Sequence, residues 1–515
     1  MEHLLLYFSI AASVIAIVIV ATIGIKAVRK KDVEDSTSFF LSNTSISKSE
    51  VVSTLVSTNT ALALIVFWFS YLGWFYGLGV AFWLSLFWIM GLELFAFYQS
   101  KWKSFPTPNS DNNKVKYQTL HDYVTMNKGN AARRALAIVS ILSFILMMTV
   151  ELTRGIRVLD FDSSNPTTID KDIIGFIVLI GAGIYAAIGG LKSVIKTDKI
   201  QWVITLVALF LALVISIRGI VGESGLFGIV FFPENISLKS FFLIPSQPYL
   251  IIGSAFSWSF WFIVTMDMWQ RAAAAREIQI VTKKTRLILY PWFIFLTLTS
   301  VLIGVFVRVK LSGQLGLTFP AVNFLEILSN GIFDIKFVDY ALFIIIFTGF
   351  ITAMVSTLDT YFVAVSHSIY RDISQRSKNG IVEFERFSRL IVVFITFGIA
   401  VAIFPLFLLV SHSALSINSL LYLATSLPFV LLPAILFSAG KSKENNSIPL
   451  IFSVVLGLIA TSIIIYFVLW KISNSTPEAI GQWYNIMYLA PMIASLCSLV
   501  GYGFGYIVKL IKKQK

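Results

Sequence analysis

Hydroxyl and ionisable side chains set inside long apolar runs are the residues here whose types and spacing could do chemistry. One run contains Thr352-Ala-Met-Val-Ser356-Thr357-Leu-Asp359-Thr360, with His367 beyond it. Ala353, Ser356 and Thr357 are three and four residues apart, which places them on one helical face. Adjacent hydroxyls with a main-chain carbonyl make a neutral, oxygen-only group of ligands. Such a group suits a hard monovalent cation that must be released, whereas calcium would want several carboxylates. The alternative is that each hydroxyl bonds back to a carbonyl of its own helix.

A second run opens with Ser53, Thr54, Ser57, Thr58, Asn59 and Thr60 before Leu62-Ala-Leu-Ile-Val-Phe-Trp68. A hydroxyl-rich cluster holding an asparagine is a place for a helix to open. Carbonyls freed there are tolerated only against protein or a watery cavity. The plainer reading is a polar face packed between helices. Asp198 follows Gly189-Gly-Leu-Lys-Ser-Val-Ile-Lys196-Thr197, close to Gln201, where an acid could simply cap the next helix. Ser254, Ser257, Trp258, Ser259 and Trp261 precede Asp267-Met-Trp-Gln-Arg271. Tryptophans there could form an interfacial belt or, with their serines, a solute pocket. Glu93, Glu151 and Asp267 stand near the ends of apolar runs and read as interfacial, and His412 has no assigned role.

The elements that must carry these groups follow from composition. Of the 515 residues 57% are hydrophobic and 13% charged, whereas soluble domains average about 45–50% and about 25%. Mean hydropathy is +0.83. A soluble enzyme, a disordered tail and a disulfide scaffold are excluded, leaving an all-α polytopic membrane protein. Cys497 is the single cysteine, so no intramolecular disulfide forms, and four scattered histidines make no zinc site.

A membrane-crossing helix needs about 20 mostly apolar residues. Thirteen runs qualify: 4–25, 50–73, 78–98, 135–155, 172–190, 200–219, 248–269, 285–307, 339–367, 388–410, 414–438, 448–470 and 484–508. The first is long for a signal peptide and lacks a basic leader, so it reads as a retained helix. With the N-terminus outside and the C-terminus inside, 31 of the 40 Lys and Arg residues become cytoplasmic. The net charge of +13 then reflects positive-inside topology rather than nucleic-acid binding. The stretches 99–134 and 220–247 are loop-sized, and no Walker A sequence occurs. Gly181-Ala-Gly183-Ile-Tyr-Ala186 reads as a helix contact rather than a dinucleotide fingerprint. Uphill transport by this chain would have to draw on an ion gradient.

At four segments the sequence resembles the sodium:solute symporter family. They are Thr37-Ser-Phe-Phe-Leu-Ser42, the Gly189–Gln201 stretch, Trp269-Gln-Arg271, and Ala353–Asp359 with Tyr370-Arg-Asp372 downstream. The likeness covers about residues 37–440, and the second span departs from it in reading Ser57-Thr-Asn-Thr60-Ala-Leu. The resemblance implies two inverted five-helix repeats, 36–219 and 220–440. Each would open with a discontinuous helix, 50–73 and 248–269, and bind solute between them. Residues 1–35 would hold an extra helix, and 441–515 two more with a basic tail. The resemblance also implies a sodium ion held by the main-chain carbonyls of Ser57, Thr60 and Ala353 and the hydroxyls of Ser356 and Thr357. Asp198 would help that ion leave toward the cytoplasm.

The expected activity is sodium-coupled import of a small organic solute across the cell membrane by alternating access. Asn59, Ser257, Trp258 and Asn418 are the expected solute contacts, with helix 248–269 and the 411–426 stretch as lining. No Arg or Lys is expected at midplane, and no protein partner is evident. Three rivals come from other classes. A transporter-like sensor would need a partner for its output, a multipass enzyme would need a catalytic cluster, and a channel would need a repeated filter or charged ring.

Overall fold

The computed structural model describes residues 2–28, 36–42, 45–101, 118–125, 128–157, 171–228, 248–275, 280–311, 320–330, 336–374, 377–378, 381–382, 389–412, 417–438, 447–473 and 486–514. The described residues are mostly helical; the two-residue strands Ser377–Lys378 and Ile381–Val382 pair antiparallel, and Ile46 makes an isolated bridge to Ala275. In order the helices are α1 Glu2–Ala27, α2 Ser36–Leu41, α3 Lys48–Thr58, α4 Trp68–Tyr76, α5 Gly79–Lys101, α6 Leu120–Val124, α7 Asn130–Ile156, α8 Lys171–Gly228 and α9 Pro248–Val264. There follow α10 Met266–Ala274, α11 Lys283–Lys310, α12 Pro320–Ser329, α13 Lys336–Ser368, α14 Arg389–His412, α15 Ile417–Ser426, α16 Leu432–Ser438, α17 Ile448–Ser473 and α18 Ala490–Gln514.

Among the described residues ten helices are long and apolar enough to cross a membrane, and the bent pair α9–α10 makes an eleventh if taken as one span. Their outward faces are apolar: Phe337 is 81% exposed, Leu287 75% and Phe394 72%. Patches of this kind mark contact with lipid or protein rather than water. The chain is an integral multipass membrane protein.

The run expected at 50–73 is broken. Helix α3 starts at a capping box, with the Ser47 hydroxyl accepting from the Glu50 amide and the Glu50 carboxylate accepting from the Ser47 amide at 3.0 Å. It stops at Asn59, whose side-chain amide donates at 2.7 Å to the Leu55 carbonyl, the same oxygen that accepts the Asn59 backbone N–H, so the side chain folds back on the last turn. Thr60 and Ala61 are non-helical, Leu62–Phe67 is a π-helix, and α4 follows. The second break lies at Thr265, which is extended (φ −90°, ψ 126°) between α9 and α10, and the two helices are bent by 42°. Trp269 Nε1 donates to the Ile263 carbonyl at 2.8 Å across this gap, satisfying an end of the interrupted helix.

The runs 172–190 and 200–219 differ from expectation in how they connect. Residues 191–199 are helical, not a loop, and α8 is assigned without interruption over 58 residues. A straight helix of that length would reach about 87 Å and hold Tyr185 and Thr197 about 18 Å apart. Their hydroxyls are 2.6 Å apart, so α8 folds back on itself. The turn is at Gly190, whose φ is +59° and where an added Cβ would stand 2.5 Å from the Phe39 carbonyl oxygen. Only glycine takes that conformation freely, and only glycine admits so close a backbone.

The interior is built by α3, α8 and α13, which pack on one another, with α4 against α11 and α5 against α9. Close approach of α4 and α11 depends on Gly73 and Gly304, where Cβ atoms would meet the carbonyls of Val301 and Ser70. Helix α1 lies against α8 and α13, and α17 and α18 pair with each other. At the far end of α13, short helix α6 is pinned by buried polar contacts. Asp372 accepts from Thr119 (2.7 Å) and Ser368 (2.9 Å) and lies 2.9 Å from His121 Nδ1, while Arg371 pairs with Asp122 at 3.0 Å.

Candidate functional site

The two helix breaks face a common interior that α8 and α13 complete. Where α3 ends, its hydroxyls turn toward both partners. Ser356 Oγ donates to Asp198 Oδ1 at 2.9 Å, and Thr54 Oγ1 donates to Asp198 Oδ2 at 2.6 Å. Ser57 Oγ is 2.6 Å from Ser356 Oγ; the Ser356 proton is committed to Asp198, so Ser57 is the donor. One carboxylate thus ties α3 of the first broken helix to α13 through α8.

Arg271 adds a second tie. Buried on α10, it donates from Nε to Thr54 (3.1 Å), from Nη2 to Thr58 and to Thr360 (3.3 Å), and from Nη1 to Asp267 Oδ2 (2.9 Å). Thr54 therefore relays from Arg271 to Asp198. Asp359, one helical turn from Ser356, is fully buried, and neither carboxylate oxygen has a well-formed hydrogen bond. The Thr360 amide and the Gln201 side chain lie near it, and its charge interacts with those of Asp198 and Arg271. Gln201 Oε1 is likewise buried without a hydrogen-bond partner. Three carboxylates, Asp198, Asp267 and Asp359, share one guanidinium here. Burying unpaired charge costs several kcal/mol per ion, on the order of what a bound cation would offset.

A cavity with about 90 Å³ of water-accessible space opens beside both breaks. One water needs about 10–15 Å³ on that measure, so there is room for a small organic molecule. Thr58, Asn59 and Ala61 from the first break and Asp267 from the second line it, with Tyr361 of α13. Its walls are aromatic. Trp68, Tyr422 and Tyr488 meet at ring distances of 5.6–5.8 Å on one side, and Trp258 lies 5.2 Å from Trp88 and 6.0 Å from Trp261 on the other. Ser254, Ser257 and Thr425 add hydroxyls.

Of the residues expected in the ion site, Ser57 and Ser356 are in contact, and Ala353 and Thr357 are one turn apart on α13. Thr357 Oγ1 donates back to the Ala353 carbonyl at 3.1 Å, and Thr60 Oγ1 to the Val56 carbonyl at 2.6 Å. Back-bonding, the plainer alternative, therefore holds for these two hydroxyls, while Ser57 and Ser356 reach across. Of the expected solute contacts, Asn59, Ser257 and Trp258 line the cavity. Asn418 falls at the start of α15, where its side chain is outside the described residues.

Three expectations are corrected. Asp198 caps no helix start, because α8 runs unbroken from the Gly190 turn past it, and the neutral oxygen group on α13 has this carboxylate at its edge. Asp267 is not interfacial: it lines the cavity and pairs with Arg271. Basic side chains do reach the interior: Arg271 stands beside the breaks, and Arg154 is fully buried with its guanidinium 5.8 Å from the Trp68 ring centre. Thr54, Thr58, Thr360 and Asp359 had drawn notice only as polar groups within apolar runs. Their spacing carries no signal of which would meet.

This fold is shared with known ion-coupled symporters. The chain matches a substrate-bound, outward-open Na⁺-coupled sialic acid symporter with a TM-score of 0.69 at 15% identity, over 97% of this chain and 98% of that one. It also matches a nucleobase-cation-symport-1 family transporter, closed around bromovinylhydantoin, with a TM-score of 0.51 at 10% identity, over 91% and 94% of the two chains. These agreements extend the resemblance read from the four sequence segments to the whole fold. No protein-family model and no curated protein matches the sequence.

Proposed function

We propose that the protein is a sodium-coupled secondary active symporter that imports a small organic solute across the cell membrane by alternating access. Thirteen spans underlie this reading: the ten long helices with α8 counted twice for its fold at Gly190, the α9–α10 pair, and the broken 48–76 segment. The N-terminus lies outside and the C-terminus inside. Residues 36–219 and 220–440 form the inverted repeats, with the broken helices first in each, and 1–35 and 441–515 are additions to them.

The observation that carries the proposal is the cross-repeat contact of Ser57 with Ser356 beside Asp198. Sodium would enter here, taking main-chain carbonyls of Ser57, Thr60 and Ala353 and the hydroxyls of Ser356 and Thr357. The Thr357 hydroxyl can release the Ala353 carbonyl, freeing two of these ligands at the cost of one modest hydrogen bond. The nearby surplus of carboxylate charge favours a cation. Because the ligands come from helices of both repeats, the ion bridges them in one arrangement of the repeats only, and it thereby shifts the population toward that arrangement. The solute, lying against Asn59 next to the same break, binds better once that arrangement is populated, and coupling is reciprocal. Asp198, bonded to Ser356, offers the ion its first carboxylate on the way to the cytoplasm.

The test is the thermal stability of purified protein titrated with sodium chloride or potassium chloride, since a ligand of the folded state raises stability by mass action. Sodium should stabilise the protein and potassium should not, and Ser356→Ala should lose the difference. Equal responses to the two salts would refute sodium binding at this site.

A further inference from the structure

We infer that the solute this cavity is built for carries a positively charged nitrogen, an amine or quaternary ammonium, held between Asp267 and the facing aromatic walls. The inference rests on the symporter reading and names its substrate class. The described residues lining the cavity include one carboxylate, Asp267, and no lysine or arginine. Asp267 uses Oδ2 for Arg271, and that guanidinium is otherwise occupied by Thr54, Thr58 and Thr360. Asp267 is therefore the charged group that a solute in the cavity would meet among the described lining residues. An anionic solute would be desolvated beside the Asp267 carboxylate, which is unfavourable. A neutral polar solute would be accommodated but would gain nothing from the field.

The walls point the same way. Trp68, Tyr422, Tyr488, Trp258 and Trp261 line the space with ring systems, whose faces attract ammonium groups. Trp68 already receives one cation, the Arg154 guanidinium; Arg154 itself is not among the lining residues. Glu151 and Arg157 stand with Arg154, also outside the lining. The apolar bulk of the rings excludes a solute that is polar all round, and the hydroxyls of Ser254, Ser257 and Thr425 leave room for one polar substituent.

A set of isosteres separates charge from shape: choline, its neutral carbon analogue 3,3-dimethylbutan-1-ol, and the anion 3,3-dimethylbutyrate. Each is titrated against purified full-length protein in sodium chloride, with tryptophan fluorescence as the readout. Choline should bind at least tenfold more tightly than the alcohol, and the anion should bind more weakly still. Asp267→Asn should erase most of the preference for choline over the alcohol. Tyr422→Leu, which leaves the Asp267–Arg271 pair intact, should weaken choline severalfold more than the alcohol. Equal or tighter binding of the alcohol or the anion, or no binding by any of the three, would overturn the inference. The sodium-against-potassium stability difference, read on the same samples without solute, reports on the symporter reading separately. It can persist while the choice of a cationic solute fails.

Discussion

Ser57 and Ser356 stand 299 positions apart in the chain, yet their hydroxyl oxygens are 2.6 Å apart, on the end of a broken helix and the middle of an unbroken one. Asp198, from a third helix, accepts the Ser356 proton. The contact joins the two halves of the chain through groups small enough to separate without leaving large voids.

Removing either α13 hydroxyl deletes a proposed sodium ligand and almost no volume. Ser356→Ala and Thr357→Ala should still fold and reach the membrane, with sodium affinity weakened by about 1–3 kcal/mol. In uptake assays that is a large rise in the sodium needed for half-maximal rate, and Thr357→Ser should be far milder. Unaltered sodium dependence in both alanine variants would reject the ligand assignment.

Asp198 receives one hydroxyl on each oxygen, from Thr54 and Ser356, and lies within the field of Arg271. Asp198→Asn keeps the shape but removes the charge and replaces one acceptor oxygen by a donor. Transport should slow by at least about tenfold, as expected from losing a charge-assisted hydrogen bond worth about 1.5–3 kcal/mol. Surface abundance should be preserved. Near-normal uptake with unchanged sodium dependence would reduce Asp198 to a packing role.

Gly190 allows a paired test of the α8 fold. Gly190→Ala must hold a Cβ at φ +59° and against the Phe39 carbonyl at 2.5 Å, so it should destabilise by at least about 1–2 kcal/mol. Gly181→Ala, on the same helix with nothing within 4 Å of the added Cβ, should be neutral or stabilise by about 1 kcal/mol. Thermal unfolding of the two purified variants checks this, and equal midpoints would contradict the turn.

The proposed orientation makes residues 99–134 cytoplasmic. In a Cys497→Ala background, Ser110→Cys should resist a membrane-impermeant thiol reagent in intact cells and react after permeabilisation. A cysteine placed in the 229–247 stretch should do the opposite. Labelling of Ser110→Cys in intact cells would reverse the topology.

What the sequence alone determined is whatever depends on short range. Each apolar run closes its own backbone hydrogen bonds, so its length announces a span regardless of neighbours. The opening at Asn59 was legible for the same reason: a cluster of hydroxyls and an amide supplies local substitutes for helix bonds, and the Asn59 side chain does bond the Leu55 carbonyl. The break at Thr265 has no such marker. Neither glycine nor proline stands there, and it is held by Trp269 reaching across to Ile263, so local residues gave it no signature and only family resemblance anticipated it. A reversal between the runs ending at 190 and starting at 200 was legible beside Gly189-Gly190, but that residues 191–199 are helical and the fold lies at Gly190 is seen only where Tyr185 meets Thr197. Asp198 was legible as either a cap or an ion-release acid, Asp267 read as interfacial, and Arg271 was noted only within a family-like segment. A buried charge is defined by what surrounds it, and Arg271 takes its partners from α3, α10 and α13 at once. Only packing brings those helices together, because no local rule relates residues 54, 271 and 360 until the chain has closed around them.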